Sequence, residues 1–218
     1  MSKPISHLHL NHATHVAIAR ADITAFIEND VPLPIMFQSR CLLEKCMNEN
    51  SMIEVKLKGI KREEALLFKG NYNGNSALPL EALWVQAKSN KYRKAFHAKH
   101  KLANIEVATS SLHADHIVNR AILKHLYKNH DPWVMVFETP ASANSGVGAS
   151  IERNLSAIAA EVEQIFLDPL HAFKLFATDM PKTKDEFDAV MKSIDGQIQN
   201  KKFVEKMKCE IEKLYKPT

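Results

Sequence analysis

The chain has 218 residues, of which 45% are hydrophobic and 25% charged, so it can bury a sizeable core as one large domain or two small ones. Its net charge of +4 is compatible with a nucleic-acid partner, and three cysteines without close pairing fit a reducing compartment. No apolar run approaches the ~20 residues of a membrane span, and the first residues lack a secretory pattern. We therefore expect no membrane partner, and a cytoplasmic protein or one delivered without a classical signal peptide.

Apolar residues recur at helical spacing from Val16 to Ile27 and predict a first helix that ends at about Glu28. Four histidines, at positions 7, 9, 12 and 15, cluster at its start. We interpret them as a polar helix start rather than a metal site, because no Cys or carboxylate completes the set nearby. Two prolines then break the chain, and a second helix is predicted over residues 35–47.

Alternating apolar and polar residues at 52–58 predict a strand, and residues 65–69 predict its return as a small β-hairpin. Residues 71–76, Asn-Tyr-Asn-Gly-Asn-Ser, form a loop by composition. This loop is the best candidate for a boundary between an N-terminal helical and hairpin region (1–76) and a helical region (77–218). One compact domain, in which the loop is internal, is the favoured alternative.

A long helix is predicted from Pro79, because proline favours the first turn and the following apolar residues share one face. Its second half is basic and interleaved with aromatic residues; the cations are Lys88, Lys91, Arg93, Lys94, Lys99 and Lys101. Such a run suits a nucleic-acid backbone, although a solvated helix face explains it equally well. Its position just before the next motif favours nucleic acid, with Lys94, Lys99 and Lys101 as candidate contacts.

The stretch at 111–119, Ser-Leu-His-Ala-Asp-His-Ile-Val-Asn, places His113, Asp115 and His116 within four positions. Alternate side chains of a strand share a face, so His116 points away from Asp115 unless the strand ends there. If the strand ends at Asp115, a turn can bring the carboxylate and the imidazole into one pocket. A carboxylate suits Mg²⁺ and a neutral imidazole suits a general base, which together describe metal-assisted phosphodiester hydrolysis.

Residues 113–118 resemble the first motif of the HNH (His-Me finger) endonucleases, in which Asp-His precedes two branched apolar residues. Residues 133–137 resemble the family's second strand, and residues 139–146 resemble the loop that delivers its last metal ligand. Residues 148–167 supply the helix, so the family's order of elements is kept. The resemblance covers residues 110–165 only, and it implies a ββα-metal finger at 111–166.

The resemblance assigns a role to each matching residue. The resemblance implies that Asp115 and Asn144 hold a divalent metal, for which Mg²⁺ is favoured, and that His116 is the general base. The further candidate residues are His113 in catalysis and Arg120 and Arg153 in nucleic-acid binding. The sequence departs from the family at residues 131–133, where an Asn usually orients the base, and at Asn119, which is often Pro.

The implied function is a metal-dependent endonuclease that acts on nucleic acid, with DNA favoured. The family's frequent use in bacterial toxins and effectors suggests that context, with an inhibitor or immunity protein as a partner. One alternative is a non-catalytic helical nucleic-acid-binding or interaction protein, in which Asp115 and its neighbouring histidines flank and cap the following helix. Another is a metal-independent RNase that uses His113 and His116 as an acid–base pair.

Beyond the finger, a short helix or turn is predicted through Phe176. One or two amphipathic helices are predicted from Thr183 to Tyr215, opened by a capping box at residues 183–186. The predicted fold class is α+β, mainly helical, with a small β-hairpin and a ββα-metal finger.

Overall fold

A computed structural model describes residues 12–103, 112–140, 162–177 and 181–214 of the chain. The helices of this part are α1 (His12–Glu28), α2 (Arg40–Glu49), α3 (Tyr92–Leu102), α4 (Arg120–Leu126), α5 (Pro169–Phe176), α6 (Lys184–Asp195) and α7 (Lys201–Leu214). Its strands are β1 (Pro34–Phe37), β2 (Ile53–Val55), β3 (Ala65–Asn71), β4 (Pro79–Gln86), β5 (Leu112–His116), β6 (Trp133–Pro140) and β7 (Gln164–Phe166).

All seven strands belong to one curled antiparallel sheet. Its order is β2-β3-β4-β6-β1-β7, and β5 also pairs with β6. Strand β6 is the hub: β4 pairs with residues 133–136, β1 pairs with residues 133–134, and β5 pairs with residues 136–140. The sheet therefore joins strands from both sides of the loop at 71–76.

The prediction of a mainly helical fold is wrong, because this sheet organises the core. The two strands of the predicted hairpin and the two strands of the predicted finger are all members of it. The first half of the helix predicted from Pro79 is instead strand β4, which lies between β3 and β6, and only the basic second half is helical, as α3. Apolar side chains on both faces of a central strand form a continuous run that helical spacing also fits.

Two other segments differ from the prediction. The predicted helix at 35–47 is divided into β1 and α2, and the Ser39 hydroxyl caps α2 by accepting a hydrogen bond from the Leu42 amide. The end of the predicted helix at 148–167 is strand β7, which pairs with β1, while residues 148–161 lie outside the described residues.

Several predicted elements are confirmed. The first helix ends at Glu28, β2 and β3 form the hairpin, and β6 begins at Trp133. A capping box opens α6: the Thr183 hydroxyl accepts from the Glu186 amide, and the Glu186 carboxylate accepts from the Thr183 amide. No helix in the described ranges is long and apolar enough to cross a membrane.

The core lies on both faces of the sheet. The largest fully buried side chains include Trp84 on β4 and Trp133 on β6. Helix α5 is buried along nearly its whole length, and Lys174 on this helix is only 1% exposed. A lysine this deeply buried requires a partner of opposite charge, and the partner lies in the motif of strand β5.

Candidate nucleic-acid interface

The described motif residues lie on a strand that does not end at Asp115. Strand β5 continues through His116, where His116 lies opposite Val136 and Asp115 lies opposite Phe137 of β6. Consecutive residues of a paired strand point to opposite faces of the sheet. The turn that would bring the carboxylate and the imidazole into one pocket is therefore not formed.

The Asp115 carboxylate forms an ion pair inside the protein. Its Oδ2 lies 2.6 Å from the Nζ of Lys174, and the same ammonium donates a hydrogen bond to the His116 carbonyl oxygen at 3.2 Å. Asp115 is 13% exposed and Lys174 is 1% exposed, so water screens this pair weakly. The motif carboxylate thus compensates a buried lysine that the sequence analysis did not identify.

The His116 side chain packs on the other face, against α3. Its ring centroid lies 4.7 Å from that of Tyr92, and its Nε2 has no hydrogen-bond partner within the described part of the chain. Burial, and then the positive charges of Arg120, Lys174 and Lys124, lower the pKa of His116 to about 4. The imidazole is neutral at pH 7, as a general base must be, but its low pKa makes it a weak one.

The remaining predicted site residues are less fully described. His113 lies on β5 opposite Thr139, whereas Asn144 and Arg153 lie outside the described residues, as do two of the four N-terminal histidines. Within the described ranges, no group of three or more His, Cys, Asp or Glu side chains is arranged to hold a metal ion. In the described geometry Lys174 engages the Asp115 carboxylate, and because Asn144 is not described, the Mg²⁺ ligand set stays a prediction.

Helix α3 divides the basic run into two sides. Arg93, Lys94 and Lys101 are exposed to solvent. Lys99 is directed inward instead: its side chain is 11% exposed, and its Nζ lies 3.5 Å from Oε1 of Glu81 on β4. The structure therefore places Lys94 and Lys101 on an open face, and it places Lys99 in contact with the sheet.

Arg120 joins α3 to α4. Its guanidinium lies over the Tyr92 ring, 5.5 Å from the centroid, and donates a hydrogen bond to the Ser89 carbonyl oxygen at 3.3 Å. Cation–π contact and hydrogen bond together hold the start of α4 against the start of α3. Exposed cations lie on and beside both helices, and the half-buried Arg120 lies where the starts of the helices meet. These residues are called the basic surface: Lys91, Arg93, Lys94, Lys101, Arg120, Lys124 and Lys128.

The acidic residues described near the basic surface in sequence pair with lysines outside it. Among the described residues between 88 and 131 they are Asp115, which pairs with Lys174, and Asp131, which pairs with Lys88. Burial is the main cause of the lowered pKa of His116, and the positive charges of Arg120 and Lys124 add to it. This arrangement suits a polyanion.

Sequence reasoning missed a second buried polar pair. Nε2 of His100 on α3 lies 2.6 Å from Oε1 of Glu138 on β6, and both side chains are almost fully buried. His100 Nδ1 lies 2.8 Å from the Phe96 carbonyl oxygen, which can only accept a hydrogen bond, so Nδ1 carries a proton. The sequence of β6 does indicate that Glu138 is buried, because Glu138 follows Val134 and Val136 at the two-residue spacing of one strand face.

The chain was compared with protein families, curated proteins and solved structures, and nothing in any of the three matches it.

Proposed function

We propose that the protein binds nucleic acid through the basic surface of α3 and α4. The observation that carries the proposal is the contact of Arg120 at the start of α4 with Tyr92 at the start of α3, because both helices also carry exposed cations. Lysine and arginine pair with phosphate oxygens and release condensed counterions when they do. DNA is the favoured ligand, in keeping with the sequence analysis.

The spacing on α3 suits a phosphate backbone. Lys94 and Lys101 are seven positions apart, which is close to two helical turns, so both project from one side of the helix. At 1.5 Å per residue they are separated by about 10 Å along the axis, the rise of roughly three phosphates on one strand. Lys124 on α4 extends the same surface, so a ligand can contact both helices.

The test is the salt dependence of binding to a labelled duplex, measured by fluorescence anisotropy. In the triple variant Lys94→Gln, Lys101→Gln, Lys124→Gln, we expect weaker binding to all sequences. The log–log salt slope should fall by about 0.9 for each phosphate that the variant no longer neutralises. The matched control is Lys202→Gln, Lys208→Gln, Lys213→Gln on α7, which removes the same charge from another exposed helix face. If both triple variants bind alike, net charge alone drives binding and the proposed surface is wrong.

Metal-dependent cleavage is a second candidate function. It is supported by the resemblance of residues 113–118 and by their position, since His116 and Arg120 contact the same Tyr92 ring. In this hypothesis Mg²⁺ is held by Asp115 and Asn144, and His116 is the base. Because the described geometry separates Asp115 from His116, cleavage requires a rearrangement of β5.

A plasmid-relaxation assay with Mg²⁺, with and without chelator, tests that hypothesis. Chelator-sensitive cutting that His116→Ala abolishes, in a variant that still binds duplex, would support it. Cutting of RNA that persists in chelator would instead favour the metal-independent alternative with His113 and His116. Binding without cutting under any condition leaves the non-catalytic function, and the endonuclease hypothesis is then wrong.

A further inference from the structure

A cavity of about 390 Å³ lies between α1, α3 and the sheet. Its size falls within the range of about 300–1,000 Å³ that is usual for small-molecule sites. Much of its wall is apolar, including Ile18, Leu80, Phe96, Val136 and Phe137. Charged side chains of five residues also line it: Asp22, Lys69, Glu81, Lys99 and Glu138. A mainly apolar wall with a few convergent polar groups is typical of a ligand site.

Most of these charges are already compensated within the wall. The two carboxylate oxygens of Glu81 face two lysines: Oε2 lies 3.0 Å from Lys69 Nζ, and Oε1 lies 3.5 Å from Lys99 Nζ. Glu138 contacts His100 at 2.6 Å. A ligand that leaves these contacts intact must therefore find its charged partner elsewhere in the cavity.

Asp22 on α1 is the exception. The backbone of Glu81 favours the charged form of its carboxylate, but no cationic side chain of the described chain lies within ion-pair distance of that carboxylate. The pKa of Asp22 is raised to about 6, mainly by burial and in small part by the charge of Glu81, against the lowering effects of the Glu81 backbone, Lys99 and Lys69. At neutral pH the group is thus mainly ionised, and its negative charge is incompletely compensated.

We propose that this cavity binds a small organic cation, a primary ammonium or guanidinium compound with an apolar body, whose charge pairs with Asp22. The apolar body packs against Phe96 and Val136, which border the same cavity. An anion fits worse, because the two lysines are engaged by Glu81 and the anion would face Asp22 and Glu138. The proposal is independent of nucleic-acid binding, since it uses the inward side of α3.

The test uses 2-phenylethylamine as the probe and 2-phenylethanol as its neutral counterpart of the same shape. Both are titrated into the full chain at pH 7.5, and amide chemical shifts around the cavity are followed by NMR. We expect the amine to bind about tenfold or more tightly than the alcohol, because a partly buried charge-assisted hydrogen bond is added. Asp22→Asn should remove this preference while keeping the weak binding of the alcohol.

Two further variants serve as controls for charge and for cavity shape. Asp188→Asn, at an exposed site on α6, removes one negative charge elsewhere and should leave the preference for the amine unchanged. Ala19→Leu narrows the cavity from α1 and should weaken both probes alike, with folding checked by circular dichroism. Equal binding of amine and alcohol to the wild type overturns the proposal. So does an amine preference that survives Asp22→Asn, or a lack of binding by either probe at about 10 mM.

Discussion

Two adjacent residues, Asp115 and His116, have different roles because their side chains lie on opposite faces of the sheet. This alternation is predictable from the sequence, in which a shared pocket requires the strand to end at Asp115. The condition fails, since β5 pairs with β6 through His116. The ion pair of Asp115 with Lys174 was not predictable in the same way. Lys174 lies 58 residues beyond His116 in sequence, on a helix whose burial depends on the whole fold.

The ion pair of Asp115 and Lys174 predicts a loss of stability rather than a loss of metal. Asp115→Ala removes this carboxylate from an ammonium that is 1% exposed, and we expect a cost of about 3–5 kcal/mol in the free energy of unfolding. The double variant Asp115→Leu, Lys174→Met should recover much of it, because no buried charge is left. Urea denaturation measures both. An Asp115→Ala protein as stable as the wild type would contradict the structural role.

His116 predicts a pH dependence of stability. Its pKa falls from the ordinary 6.5 to about 4 in the folded protein, so the unfolded chain binds more protons between these values. Stability from this group is therefore full above pH 6.5 and is lost as the pH falls toward 4. The loss reaches up to about 3 kcal/mol, since one pKa unit corresponds to 1.36 kcal/mol.

The variant His116→Leu, which is close in volume, should flatten this slope in urea unfolding measured from pH 7 to pH 4. His125→Leu at an exposed site on α4 is the matched control and should keep the wild-type slope. An NMR titration of His116 with a midpoint near 6.5 would show that the ring is not buried as described.

At the scale of elements, local patterns sufficed where one face of the element is solvated. The alternation in β2 and the capping box of α6 identified both elements. Local patterns did not suffice for β4, because a central strand with apolar residues on both faces shows no alternation of apolar and polar residues. The pairing of β4 with β3 and β6 decides its conformation, and that pairing is a property of the tertiary fold.

The two sides of helix α3 predict different effects of substitution, on stability for the inward side and on duplex binding for the exposed side. Lys99→Met removes the contact with Glu81, and we expect a loss of about 1–2 kcal/mol in stability with duplex binding little changed. Lys94→Met should change stability by less than about 0.5 kcal/mol but weaken duplex binding. Thermal unfolding and anisotropy on the same two proteins measure both quantities. Equal binding losses would mean that Lys99 also reaches the ligand.

At the scale of the whole molecule, the sheet depends on pairings between distant parts of the sequence. Strand β1 near the start of the chain pairs with β6 and β7, and β3 pairs with β4 across the loop at 71–76. Composition predicted a loop at 71–76, where β3 extends to Asn71 and a 3-10 helix follows at Tyr72–Gly74, and composition does not reveal that the strands on either side pair in one sheet. The basic surface was similarly visible as charge, whereas its connection to α4 required the position of Arg120 over Tyr92.

This topology predicts that residues 77–218 do not fold when separated from residues 1–76. The fragment lacks β3 and β1, so β4 loses its partner on one edge and β6 loses one of its three partners. Their unpaired backbone groups and apolar side chains would meet water or associate between copies. In the full chain, the fluorescence of Trp84 and Trp133 and the far-UV circular dichroism should therefore follow one urea transition. Two separate transitions, or a fragment that is monomeric and melts cooperatively, would instead establish a domain boundary at the loop.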